Sequence, residues 1–177
     1  MREPTAIGID NGVSGAIAVI TSSEVIAIEL TPTVYVKGKT IPDEVMMRQM
    51  LVWAQAELGD ADRYLPPQAF IEGVYLNPTT SRVAIGSMYS CQGVWRGICC
   101  GLEMPYTIVP PKEWQKGMLS GIPGKDTKAR SILACKQLFP RTSLLRTVKC
   151  KVDHDGKADA LMIAEYGRRK LMGQNHD

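Results

Sequence analysis

The first thirty residues constrain the fold most. Residues 5–9 form a short β-rich run closing on Asp10, and Asn11-Gly12-Val13-Ser14-Gly15 supplies turn chemistry. Residues 16–21 and 25–30 are two further apolar runs of strand length, parted only by Ser22-Ser23. Such an opening predicts three hairpin-joined strands, with Asp10 at the carboxyl end of the first. The pattern then changes. Residues 42–58 read as a helix with Val45, Met46, Met50, Trp53 and Ala54 along its apolar side. A short buried strand follows at 69–74, carrying Glu72, and then a long helix at 81–102. Another strand at 106–109 ends at Pro110-Pro111. Helices are expected at 112–118, at 126–138 with Asp126 as N-cap, and from about 156 to 172. The order β-β-β-α-β-α-β-α-α excludes an all-α or all-β fold. It predicts an α/β mixed sheet, antiparallel in its first three strands and then parallel, with helices on both faces.

A chain of 177 residues with 45% hydrophobic content suits one domain spanning residues 1–177. It has neither an apolar run of membrane-spanning length nor a charged-then-apolar leader, so a soluble, cytoplasmic protein without a membrane partner is expected. The cysteine count is odd, and Cys99 and Cys100 are adjacent, which points to free thiols rather than a disulfide framework. Cys150 and His154 stand at helical spacing and imitate half a zinc site, with no second half in the sequence.

Charge is unevenly distributed. Residues 112–157 hold eleven Lys or Arg against four Asp or Glu, although the whole chain carries only +3. Positive charge gathered in one stretch suits a polyanion such as nucleic acid, and equally a solvated basic surface. The cations singled out for DNA contact are Lys112, Lys116, Lys125, Lys128, Arg130, Lys149 and Lys151.

Four carboxylates stand where ordinary packing does not place them. Asp10 ends a core strand, Glu72 sits in an apolar strand, and Asp155 and Asp159 are four apart on one face at the start of the last helix. A buried carboxylate is costly, and several together repel one another. Divalent cations relieve both costs, and all-oxygen ligands without His or Cys partners favour Mg2+ or Mn2+. A pair of such ions is suited to phosphodiester hydrolysis. Taken singly, each acid has an ordinary explanation as a turn-former, an edge-strand residue or a helix-start acid.

The sequence resembles the RuvC-type Holliday-junction resolvases. Ile7-Gly-Ile-Asp10-Asn-Gly-Val-Ser-Gly15 is similar to that family's first strand and turn, and Phe70-Ile-Glu72 to its second acidic strand. His154-Asp155-Gly-Lys-Ala-Asp159-Ala-Leu-Met-Ile-Ala164 is similar to its closing acidic helix. Val109-Pro-Pro-Lys112-Glu-Trp114 and residues 125–140 resemble the compact phage and prophage versions. The resemblance implies an RNase H-like fold, a homodimer, and Mg2+-dependent symmetric nicking of four-way junctions that leaves a 5′-phosphate and a 3′-hydroxyl. It places Asp10, Glu72, Asp155 and Asp159 at the metal-binding positions, with two ions per site. It also implies a bacterial cell or phage-infected host. Many bacterial members space the last two acids three apart; here Gly156 occupies that position and the spacing is four, as in some mitochondrial relatives. Asp153 is a conceivable substitute ligand, and His154 an adjacent group able to assist or simply to hydrogen-bond.

Some motifs point elsewhere. Gly121-Ile-Pro-Gly124-Lys125-Asp126-Thr127 has the flavour of a phosphate loop, but Leu119 and Asp126 replace the required glycine and hydroxyl residue, so no nucleotide cofactor is expected. A mobile basic loop touching DNA fits better. Asp10-Asn-Gly-Val-Ser-Gly is also similar to the first phosphate loop of sugar kinases and actin, which need two such lobes. Gly93, Gly97 and Gly101 recur every fourth residue, which reads either as tight packing on the sheet or as a dimer seam. Trp95, Trp114 and Tyr89 read as core or interface aromatics. Two rival functions stay open: a junction-binding protein without catalysis, and another RNase H-like nuclease acting on RNA–DNA hybrids or flaps.

Overall fold

The computed structural model describes residues 2–60, 62–76 and 79–174. Alternation of large and small residues in the first strands decides how the layers stack. In β1 (Ala6–Asp10) and β2 (Ala16–Ile20), Ile7, Ile9, Ile17 and Val19 point to one face, while Ala6, Ala16 and Ala18 point to the other. With β3 (Val25–Leu30), β6 (Gln68–Glu72) and β7 (Tyr106–Val109) they form a five-stranded sheet of order β3-β2-β1-β6-β7. The β1–β2 and β2–β3 pairs are antiparallel, and β1–β6 and β6–β7 parallel, which is the mixed topology the sequence predicts.

The large-residue face is covered by α1 (Glu44–Glu57) and α2 (Arg82–Gly101) through Met47, Leu51, Ala54, Cys91, Trp95 and Cys99. The small-residue face receives α5 (Asp155–Leu171), flanked by α3 (Pro111–Leu119) and α4 (Thr127–Leu138). A Cβ on Gly8 would stand 2.1 Å from the Ala160 carbonyl oxygen and 2.3 Å from Ala164 N, so strand and helix backbones are in near contact. Nearly every residue of α5 from Gly156 to Gly167 is buried.

Caps follow the expected chemistry. Asp126 accepts from Ala129 N at 2.8 Å to start α4, and Ser81 accepts from Ala84 N at 3.2 Å to start α2. Other expectations need correction. The helix expected from residue 42 does not begin there: residues 33–42 form a hairpin, β4 (Thr33–Val36) and β5 (Lys39–Pro42), whose turn residues Lys37 and Gly38 both have positive φ. Helix α1 therefore begins at Glu44, capped by Asp43. Its buried stripe is Met47, Leu51 and Ala54, whereas Val45, Met46 and Trp53 of the expected stripe are exposed. Cys150 precedes a non-helical stretch, so its helical spacing to His154 does not exist. All five cysteines are free, and no described helix is long and apolar enough to cross a membrane.

Candidate active site

The register of the two central parallel strands builds the site. Ile9 lies opposite Ile71, so the next residues, Asp10 and Glu72, end adjacent strands side by side at the carboxyl edge of the sheet. Glu72 thus closes its strand rather than sitting inside it. Helix α5 starts at this same edge with Asp155 as its first residue, and Asp159 follows one turn later on the side facing the strands.

The four acids lie close enough for their charges to act on one another. Burial pushes the Asp10 carboxyl well above its ordinary range, followed by the charges of Glu72, Asp159 and Asp155. The Asp10 and Glu72 groups lie within hydrogen-bond reach, so one proton held between them relieves their repulsion. Burial also raises Glu72, against the indole N–H of Trp114, which donates to its Oε1 at 3.0 Å. Gln92 donates to the Glu72 carbonyl at 3.1 Å and fixes the strand end. Asp159 is raised to about 7 by burial, with Glu72 and Asp155 adding to it and the nearby Ser131 hydroxyl opposing it. Neither the Ser131 hydroxyl nor Asp159 Oδ1 completes a hydrogen bond.

Asp155 behaves differently. Burial pushes it up, but an ion pair with Lys128 outweighs burial and holds it below the usual range. Lys128, one of the cations expected on DNA, is therefore in the site itself. Asp153 is paired with Lys136 at 2.6 Å and is not among the acids whose charge raises Asp10. His154 is the N-cap residue of α5 without a side-chain cap bond, and its Nδ1 has no partner.

Gly156 explains how closely the elements approach. A Cβ there would stand 2.8 Å from Asp10 Oδ2 and 3.0 Å from the Ser14 carbonyl oxygen. Among the described residues no three His, Cys, Asp or Glu side chains are grouped so as to hold a metal ion as they stand, with Asp155 drawn to Lys128 and Asp10 paired to Glu72. The donor set nevertheless fits a hard divalent cation. It is all oxygen, burial raises the carboxyls of Asp10, Glu72 and Asp159, neighbouring acids raise Asp10 and Asp159 further, and Asp159 Oδ1 is buried and unpaired.

The remaining cations are engaged unequally. Lys112, in the first turn of α3, lies 5.4 Å from the centre of the Tyr75 ring, just past Glu72. Lys116, Lys125, Lys149 and Lys151 are exposed. Arg130 is engaged otherwise: it donates to the Leu119 carbonyl and, at 3.1 Å, to that of Ile122, clasping the loop at 120–126. The loop expected to be mobile is held from within. The roles of Trp114 and Ser131 went unread in the sequence. Ser131 stands on the buried stripe of α4 with Ala134 and Cys135, and a hydroxyl in an apolar stripe is the available signal. Gly93, Gly97 and Gly101 do not pack on the sheet, since a Cβ at each meets nothing within 4 Å.

No family model and no curated protein matches the chain in sequence. Among solved structures, it is similar to Thermus thermophilus RuvC in complex with a Holliday junction substrate, with a TM-score of 0.64 at 11% identity over 96% of this chain and 97% of that one. A second Thermus thermophilus RuvC structure has a TM-score of 0.56 at 14% identity over the same shares. The architecture is thus the RNase H-like α/β fold of RuvC.

Proposed function

We propose that the chain is a metal-dependent endodeoxyribonuclease that resolves four-way DNA junctions by paired, symmetric nicks. The observation that carries this reading is the convergence of Asp10, Glu72, Asp155 and Asp159 at one sheet edge, in a fold shared with a RuvC solved on a junction. These four would hold Mg2+ or Mn2+, two ions per site. Bound there, the ions supply Lewis-acid polarisation of the phosphate and a more acidic water.

The chain's own groups do the positioning. Trp114 and Gln92 orient Glu72 and its strand end, and the close approach of Gly156 sets Asp10 against the first turn of α5. Lys128 holds Asp155 ionised, and were Asp155 to serve a cation the Lys128 ammonium would be available to a phosphate. Lys112, Lys116, Lys125, Lys149 and Lys151 supply counter-charge for the DNA arms. Two strands require two sites, so the working unit is a homodimer. The exposed glycine face of α2, with Tyr89 beside it, suits the close approach of a second copy.

The test is incubation of a labelled four-way junction with Mg2+ or chelator, in competition with three-way, flap and RNA–DNA hybrid substrates. Symmetric nicks in the four-way junction, only with the metal, are expected. The Asp10→Asn protein should bind the junction but cut it at least about 100-fold more slowly. Undiminished cutting by that variant eliminates the site assignment, and preference for the hybrid or flap favours the other nuclease reading.

A further inference from the structure

A cavity of about 310 Å³ adjoins the acidic edge. We infer that it is a subsite for a DNA backbone phosphate next to the one that is cut, held by Arg146, Ser14, Thr31, Thr33, Thr40 and His154. The inference rests on the nuclease reading above and adds a place for the strand that the four acids do not provide.

Chemistry gives the first argument. These walls bring one guanidinium, four hydroxyls and one imidazole, and no carboxylate lines the cavity although four stand nearby. Hydroxyls and guanidinium groups are the side chains that contact phosphate oxygens in protein–DNA complexes, and a guanidinium can bind two of them at once. Arg146 is exposed, and none of the ion pairs among the described residues uses it.

Placement gives the second. The point 2.8 Å from Asp10 Oδ2 where a Gly156 Cβ would stand is also 3.0 Å from the Ser14 carbonyl oxygen and 3.1 Å from His154 Cε1. Ser14 and His154, which line the cavity, therefore stand beside the Asp10 carboxylate. On the proposed reading, a strand whose reacting phosphate lies at the acids has its next phosphate within reach of these residues.

Unsatisfied polarity gives the third. Thr31 is only 4% exposed and its Oγ1 has no partner, and His154 Nδ1 is likewise buried and unpaired. Buried polar atoms are ordinarily hydrogen-bonded, so two orphans in residues that line one cavity mark its wall as short of polar partners. The hairpin contributes too. Its register pairs Thr33 with Pro42 and Tyr35 with Thr40, which puts Thr33 and Thr40 on the same face.

The test is anisotropy of a labelled four-way junction without divalent ions, using junctions in which single phosphates on either side of the cut are replaced by neutral methylphosphonates. For the unaltered protein, one flanking replacement should weaken binding about tenfold. Arg146→Ala, and separately the Thr33→Val/Thr40→Val pair, should weaken binding to the natural junction and be insensitive to that one replacement, a non-additivity that marks direct contact. Uniform sensitivity at every phosphate, or additive losses, overturns the subsite. So does an abasic nucleotide, rather than the methylphosphonate, cancelling the Arg146 effect, because the guest is then a base. If the protein fails to cut junctions with Mg2+, the nuclease reading falls. If cutting depends on Asp10 while Arg146→Ala matches the parent throughout, only the subsite falls.

Discussion

Asp159 carries the clearest consequence of its surroundings. Its carboxyl is raised by burial to about 7 in the folded protein, against an unfolded value near ~3.9. Between these values the folded state binds more protons, so without a cation stability is lost as pH rises from about 4 to about 7. Asp159→Asn removes that loss. In chelator at pH 8 its Tm should exceed the parent's by about 5 °C, and the two should converge at pH 4. Equal melting at pH 8 in a calorimeter contradicts the burial that sets this site apart. Gly156→Ala tests the neighbouring contact. Helix propensity favours the alanine by about 0.5–1 kcal/mol, while its Cβ crowds Asp10 Oδ2, so Tm should change little. Cutting should fall about tenfold, with more Mg2+ needed for half-maximal rate; a parental rate and Mg2+ requirement would show that Asp10 has room to yield. The four acids were legible as letters because each broke a local pattern. The partners that set their charge were not, since Trp114 and Ser131 reach them only through α3 and α4 docking beside α5.

Among the elements, the seam between β1 and α5 decides most. Ala6, Gly8, Ala16 and Ala18 let the helix lie almost on the sheet, which brings Asp159 to Asp10. Gly8→Ala places a methyl 2.1 Å from a backbone oxygen that cannot move without shifting the helix. A loss of about 3 kcal/mol or more in urea unfolding is expected, with cutting lost in parallel. A loss below ~1 kcal/mol means the seam is looser than its geometry. That the sheet is mixed, antiparallel in its first three strands and then parallel, and that Asp126 caps α4 were readable from periodicity and turn residues. The β4–β5 hairpin was not, because Lys37-Gly38 is a less familiar two-residue turn than Asn-Gly and its strands lie outside the main sheet. The α1 stripe was misread for a related reason. Both of its sides are apolar, and only the docked sheet selects Met47 and Leu51 over Met46 and Trp53.

At the scale of the molecule, the basic groups of the 112–157 stretch have unlike surroundings: Lys128 pairs with Asp155 in the acidic site, Lys112 lies by Tyr75 just past Glu72, and Lys116, Lys125, Lys149 and Lys151 are exposed. Junction binding should weaken steeply with salt, with a log–log slope of roughly −4 to −6 if about five to seven phosphates are neutralised. A slope near zero in a salt titration discards the electrostatic account. The charge asymmetry was plain in the sequence; that Arg130 braces a loop and Lys128 guards Asp155 required the fold. The seat of α5 also has a bearing on synthesis. The last helix to leave the ribosome among the described elements fills the middle of one face of the sheet and supplies half the acids. Until α5 is made, that sheet face has no helix to fill it, and of the four acids the chain holds only Asp10 and Glu72. On the nuclease reading proposed above, a chain without α5 lacks half its acids and should not cut, and its bare sheet face is an apolar surface left for other chains to meet.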